Sequence, residues 1–191
     1  LEFKPVKFFN KWYTSFMEAG LIEAFPPGVK FHGYPLITGF HGIGATGYWT
    51  VKYLIQRLEA AKEVMLDSDV ISPVTSSFGG RLVTPYEVFR YRNIAFFKAE
   101  VPPYKGTEVE FFREVCDWIM KSGFKEVVLV GGLDASLRKD DTMYRYVYTR
   151  AYTPTSVLTK ALKLEDDNVI VGPVAIMLNY FEMRSFPAYA I

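Results

Sequence analysis

A run of apolar residues, Tyr34 to Phe40, leads into the glycine loop Gly42-Ile43-Gly44-Ala45-Thr46-Gly47, which opens onto a helix-like run from Tyr48 to Leu58. A strand, a sharp glycine turn and a helix in that order form half of a βαβ unit, so this stretch commits the chain to layered α/β architecture. The helical run places Val51, Leu54, Ile55 and Leu58 at i, i+3, i+4 and i+7, with Lys52, Gln56, Arg57 and Glu59 facing away.

The loop has two readings. In the first, Gly42, Gly44 and Gly47 let the backbone approach a pyrophosphate at the helix N-terminus. Asp67, twenty positions after Gly47 and at the end of a short strand over Glu63 to Leu66, stands where a ribose-binding acid belongs. The second turn, Gly131-Gly132, follows the apolar strand Glu126 to Val130 and would complete a ligand crevice with the loop. In the second reading the glycines only permit a tight turn and close packing. The chain favours the second: no hydride-transfer apparatus follows, Tyr48 and Trp49 are bulky where close helix packing is wanted, and no lysine after Gly47 makes a phosphate loop.

Other chemistry is sparse. His32 and His41 have no partners at metal-ligand spacing, so no metal site and no cofactor are expected. His41 could pair with Asp134 as acid and base if their strand ends are neighbours, against the commoner role of a hydrogen-bonded structural histidine. Ser76, Ser77 and Ser136 lack a nucleophile elbow. Cys116, the single cysteine, rules out an intrachain disulfide and reads as an inert thiol on a helix from Thr107 to Ser122, in a stripe with Val109, Phe112 and Ile119. The run Arg138-Lys139-Asp140-Asp141 reads as a solvated loop.

At 191 residues the chain makes one domain, long enough to bury roughly 70% of its unfolded surface. The 22 basic and 21 acidic residues are dispersed, giving no electrostatic case for nucleic acid or an anionic membrane. The apolar stretch Val169 to Phe181 is too short to span a bilayer, and the expectation is a cytoplasmic protein. With 17% aromatic residues, the chain has enough apolar surface for a large core or for contact with other subunits.

Along the chain, Leu1 to Lys30 reads as an N-terminal extension with a helical piece around Asn10 to Ala19. Tyr86 to Tyr91 and Ile94 to Val101, joined at Arg92-Asn93, read as an antiparallel hairpin. Thr75 to Gly80 and Leu133 to Arg145 read as loops, Thr153 to Leu162 as helix, Asn168 to Val171 as strand, Pro173 to Phe181 as helix and Ser185 to Ile191 as extended. The expected fold is therefore a largely parallel mixed sheet with the hairpin as its antiparallel portion. The abrupt apolar end at Ile191 reads as the omission of a C-terminal tail, and Leu1-Glu2-Phe3 as a trimmed start.

From about Tyr34 to Ile191 the sequence resembles the proteasome assembly chaperone type 2 family, particularly its archaeal homologues. The residues that carry the resemblance are Pro35 to Gly47 with Tyr53-Leu54-Ile55, then Val127 to Gly132, then Val171-Gly172-Pro173 and Pro187-Ala188. The resemblance implies a three-layer α/β/α domain akin to the nucleoside phosphorylase fold, without that fold's catalytic residues. It further implies a homo-oligomer that binds proteasome α-subunits or the α-ring without ATP, and no enzyme activity. Some relatives dock through a C-terminal tail with a penultimate tyrosine; Tyr189-Ala190-Ile191 departs from that pattern, so tail docking is not carried over. The competing reading from the residues is a nucleotide- or nucleoside-binding enzyme using the Gly42–Gly47 loop.

Overall fold

The apolar runs become the centre of a sheet because their alternate residues find a helix layer on each face. A computed structural model describes residues 22–191 apart from 135, 137–139, 143, 157, 159 and 160. The helical piece expected around Asn10 to Ala19 lies outside the described residues. In chain order the elements are β1 (Glu23–Phe25), β2 (Pro35–Gly39), a 3-10 turn (Ile43–Ala45), α1 (Thr46–Arg57), β3 (Ala61–Asp67), β4 (Ser76–Phe78), β5 (Arg81–Val83), β6 (Tyr86–Tyr91), β7 (Ile94–Ala99), α2 (Glu108–Lys121), β8 (Glu126–Val130), β9 (Arg145–Tyr148), β10 (Leu162–Lys163), α3 (Gly172–Met183) and β11 (Ala188–Ala190).

Nine strands form one mixed sheet in the order β1-β3-β6-β7-β2-β8-β11-β9-β10, and β4 and β5 pair separately. The middle of the sheet, β7-β2-β8-β11, is parallel, with Leu36 opposite both Ala95 and Val127. Such strands are covered on both faces, which is why they read as unbroken apolar runs. β6 and β7 form the expected hairpin, with Tyr91 opposite Ile94 and Arg92 at φ 51° in its turn. β3 and β1 extend the sheet antiparallel from β6.

On one face Val51 and Ile55 of α1 pack with Phe96 and Ile37. On the other, α2 and α3 bury Phe111, Phe112, Val115, Cys116, Ile119, Met177 and Phe181 against Leu36, Phe97, Val127 and Leu129. The three-layer α/β expectation therefore holds. α2 begins with Glu108 and Glu110 and ends with Lys121, each complementing the helix dipole.

Several sequence expectations need correction. The helix expected over Thr153 to Leu162 does not hold at its ends: Thr153 to Thr155 are not helical, Tyr152 and Leu158 anchor this stretch on Tyr146, and Leu162 pairs with Arg145 in the sheet. Long-range pairing overrides the local preference there. Asn168 to Val171 is not a strand; Val169 and Val171 are exposed, and the segment enters α3 without a strand neighbour. Val109 points to solvent, because the buried stripe of α2 runs through Phe111, Phe112, Val115, Cys116 and Ile119. Arg145 belongs to β9 rather than to a surface loop, and Ser76 to Val83 closes into the β4–β5 hairpin. Glu23 to Phe25, inside the expected extension, forms the sheet's edge strand.

Candidate functional site

Glycines bring the ends of β2 and β8 and the start of α1 into direct backbone contact. A Cβ on Gly39 would lie 2.7 Å from the Gly47 Cα, one on Gly47 would strike the Val130 carbonyl oxygen, and one on Gly132 would strike the Ile43 carbonyl oxygen. Only glycine fits these three positions without moving backbone. Gly42 has open space around its Cβ position, and Gly44 adopts φ +63°.

The loop also satisfies several of its own donors. The Ala45 amide donates to the Gly42 carbonyl at 2.9 Å and the Tyr48 amide to the Phe40 carbonyl at 3.2 Å. The Thr46 amide and hydroxyl both donate to the Ile43 carbonyl. A phosphate cradle needs such groups free. Asp67 does lie at the end of β3, yet β6 and β7 stand between β3 and β2. Three strand spacings put it roughly 14 Å across the sheet from the loop, and it accepts the Ser68 amide at 2.9 Å.

Gly132 abuts the loop directly at Ile43, and a crevice lies to one side, with Gly131, Gly132 and Thr46 in its wall but not Gly42, Gly44 or Gly47. This cavity of about 750 Å³ opens at the carboxyl ends of β8 and β11, between the first turns of α1, β9 and the approach to α3. Thr46, Gly132, Tyr146, Ile170 and Val174 are among its walls. Arg145, also in the wall, donates from Nε to Glu165 at 2.9 Å, from a terminal nitrogen to Asp140 at 2.8 Å, and to the Thr142 and Tyr144 carbonyls at 3.3 Å. The Asp140 carboxyl is held down at about 2, first by the Thr142 amide and then by Arg145.

His41 and Asp134 are occupied separately. The His41 ring stacks on Tyr48 with centroids 3.9 Å apart, and burial lowers its pKa. Asp134 accepts the Ser136 amide at 2.8 Å. His32 lies with its ring against Gly123. Burial pushes the Cys116 thiol well up, as an inert thiol requires. Of the charged run, Arg138 and Lys139 lie outside the described residues.

A feature that the motif reading missed is a ladder of charges on the α1 face of the sheet. Glu87 receives Lys62 at 2.6 Å and pairs with Lys98 at 2.9 Å; Lys98 also pairs with Glu100 at 3.0 Å, and Glu100 with Lys52 at 3.1 Å. The Tyr48 hydroxyl donates to Glu100 at 2.8 Å and accepts from Lys52 at 2.7 Å. Burial alone would raise the Glu87 carboxyl, but bonds from Lys62, the Thr84 amide and Lys98 outweigh it and hold its pKa below the ordinary value. Hairpin geometry was the signal available: a two-residue turn pairing Tyr91 with Ile94 sets Glu87 opposite Lys98.

Outward from this interior, Trp49 and Tyr53 stand 59% and 61% exposed one turn apart on α1, beside the exposed Ile43. Phe78 and Leu82 are exposed on the β4–β5 hairpin. Aromatic side chains left in water on a rigid element are the residues that anchor protein interfaces. Among the described residues no helix is long and apolar enough to cross a membrane, and no group of His, Cys, Asp and Glu could hold a metal ion.

Residues 36–191 match the PAC2 family. No curated protein matches the chain. Among solved structures it is similar to PbaA of Pyrococcus furiosus, described as an archaeal homolog of proteasome-assembly chaperone, at 19% identity and a TM-score of 0.69, covering 88% of this chain and 74% of that one. It is similar to Pyrococcus furiosus PbaB, described as an archaeal proteasome activator, at 16% identity and a TM-score of 0.67, covering 90% and 79%. A Thermoplasma acidophilum protein of unknown function is 22% identical with a TM-score of 0.69, and the match spans 84% of this chain and 66% of that one.

Proposed function

This chain belongs to the PAC2 family, and from that premise we propose that it is a proteasome assembly chaperone-like protein that self-associates and binds proteasome α-subunits or the α-ring without ATP. The observation that carries the reading is the family match over 36–191, which takes in β2 except Pro35, every strand from β3 to β11 and the three described helices. The glycine loop supports it, since the amides of Ala45, Thr46 and Tyr48 are committed to the carbonyls of Gly42, Ile43 and Phe40 and are not free for a nucleotide phosphate. The exposed Ile43, Trp49, Tyr53, Phe78 and Leu82 offer the apolar anchors that protein partners use. On this reading the protein works in the cytoplasm, alongside the proteasome subunits it binds.

Co-sedimentation with purified archaeal proteasome α-subunits, with and without ATP, tests the partner. The expected result is co-migration that ATP does not change. Chain and α-subunits sedimenting independently at tens of micromolar would overturn the partner assignment. Sedimentation equilibrium of the chain alone tests self-association, and a monomer throughout the micromolar range would remove it.

A further inference from the structure

We infer that the free edge of β4 is the seam through which two copies of this chain pair, strand against strand about a two-fold axis at Ser77. This rests on the self-association proposed above and supplies its interface. β4 and β5 form a separate sheet of two strands joined by Gly79-Gly80, which at φ +58° and +74° make a type I′ turn. In such a hairpin the residues flanking the turn, Phe78 and Arg81, are the hydrogen-bonded pair, so alternation turns the amides and carbonyls of Ser77 and Leu82 outward. The two edges differ in what they meet. Lys62 donates to the Leu82 carbonyl at 3.1 Å and closes the β5 edge. Among the described residues nothing bonds the Ser77 amide or carbonyl.

The hairpin lacks cover of its own. Every residue of β4 is exposed, and Phe78 and Leu82, on opposite faces by alternation, are 63% and 62% exposed. Two strands alone are marginal in water, and three or more are needed for independent stability. Edges kept unpaired usually carry a charge or a proline. β4 is Ser76-Ser77-Phe78 and carries neither.

Charge selects a second copy and this edge. Antiparallel pairing of β4 with itself sets Ser77 opposite its counterpart and each Ser76 opposite the Phe78 of the other copy, so no charges meet at the axis. The two Arg81 side chains then lie on the outer strands, three strand spacings or roughly 14 Å apart, beyond the ~10 Å over which exposed charges stay coupled in salt. Pairing through β5 about Leu82 would instead bring them to diagonal positions about 7–8 Å apart on one face and would displace Lys62. Through β4 that diagonal falls to the two Phe78 rings, which cover each other. The two-fold contact closes on itself, giving a dimer with a four-stranded sheet.

Cysteine cross-linking of the whole chain tests this. The pairing puts position 77 opposite itself with Cα atoms about 5.5 Å apart, within disulfide range. Ser77→Cys oxidised with diamide is expected to give a covalent dimer on a non-reducing gel, roughly tenfold or more faster than Leu82→Cys on the far edge. Cys116 is buried and adds no background. Ser77→Pro removes an outward amide that the hairpin itself does not use, so it should weaken self-association roughly tenfold in sedimentation equilibrium and leave Tm unchanged. Phe78→Ser, a second variant that leaves the backbone alone, should weaken it as well. Equal cross-linking at positions 77 and 82, or self-association that both variants leave intact, would overturn the seam while the earlier reading of a self-associating protein stands. A parent chain that is monomeric would overturn both. Loss of α-subunit co-sedimentation in Ser77→Pro with self-association unchanged would give the edge to a strand of that partner and overturn the pairing of copies.

Discussion

Gly47→Ala reverses the usual effect of that substitution in a helix. Inside an unobstructed helix, alanine is better than glycine by about 1 kcal/mol. Gly47 sits in the first turn of α1, buried, and its φ is not in the left-handed region, so backbone strain is not the issue. The new Cβ would meet the Val130 carbonyl oxygen, with the Phe40 nitrogen at 3.0 Å and the Gly39 Cα at 3.1 Å. All three are backbone atoms at the ends of central strands, and the neighbouring Gly131 amide is tied to the Ile191 carbonyl at 2.9 Å. Neither side can yield like a flexible side chain, so the overpacking cost belongs near the top of the usual 1–3 kcal/mol. Subtracting the propensity gain leaves a net loss of about 2 kcal/mol, or roughly 4–8 °C in Tm for a domain of this size. Urea unfolding followed by circular dichroism measures it, with Gly42→Ala as the control because nothing lies within 4 Å of that Cβ. Gly39→Ala and Gly47→Ala should also combine less than additively, since either one pushes α1 off the sheet. A Gly47→Ala protein as stable as its parent would refute the close-packing account and restore the loop to a ligand.

Glu87→Ala should cost about 1–3 kcal/mol, because the Lys98 ammonium, 7% exposed, keeps Glu100 at 3.0 Å but loses its nearer carboxylate, and the Thr84 amide loses its acceptor. The Glu87 and Glu100 carboxyls both lie below the usual 4.5 in the folded protein, so their stabilisation is complete above that pH and is lost as pH falls through the folded values; the parent and Glu87→Gln unfolding curves should therefore converge below pH 4.5. Arg145→Lys cannot reproduce a planar fork that reaches Glu165, Asp140 and two carbonyls, and limited trypsinolysis should cut the connection between β8 and β9 faster in this variant than in the parent. Cys116 is 0% exposed; a thiol reagent should label it at the rate of global unfolding, and rapid labelling of the native protein would contradict its burial.

What could be read from the residues follows the range of the forces that decide each element. β2, β8, α1 and the β6–β7 hairpin carry their signals locally, in apolar runs, a 3.6-residue period and a two-residue turn, and the structure has them within a residue or two of expectation. β1, β9 and β10 are short pieces of two to four residues. Their existence depends on strands distant in sequence, as when Glu23 finds Asp67 or Leu162 finds Arg145. No local pattern marks them. The same distinction runs through the site. Gly39, Gly47 and Gly132 announce themselves as glycines, but that their missing Cβ atoms face Gly47, Val130 and Ile43 is a fact of packing. Arg145 was invisible because its carboxylate partners lie 5 residues before it and 20 after it, across a loop.

Tyr48 shows why a motif and its meaning can separate. A bulky residue directly after the third glycine counts against the dinucleotide reading, and the structure supplies the reason for the residue. Its amide closes the turn on Phe40, its ring stacks on His41, and its hydroxyl joins Lys52 and Glu100. Through Glu100 the loop is connected to Lys98, and through Lys98 and Glu87 to Lys62, whose ammonium also holds the Leu82 carbonyl of the exposed hairpin. Tyr48, directly after the glycine loop, and the β4–β5 hairpin are thus joined by one part-buried ionic chain crossing α1, β7, β6 and β3. Each interior member has two partners of opposite charge, so loss of one leaves its buried neighbour with a single partner rather than two, and the chain favours a fixed relation between its ends. A fixed relation between two surfaces bearing exposed aromatic and aliphatic side chains suits a protein that holds other proteins in register better than one that must open around a nucleotide.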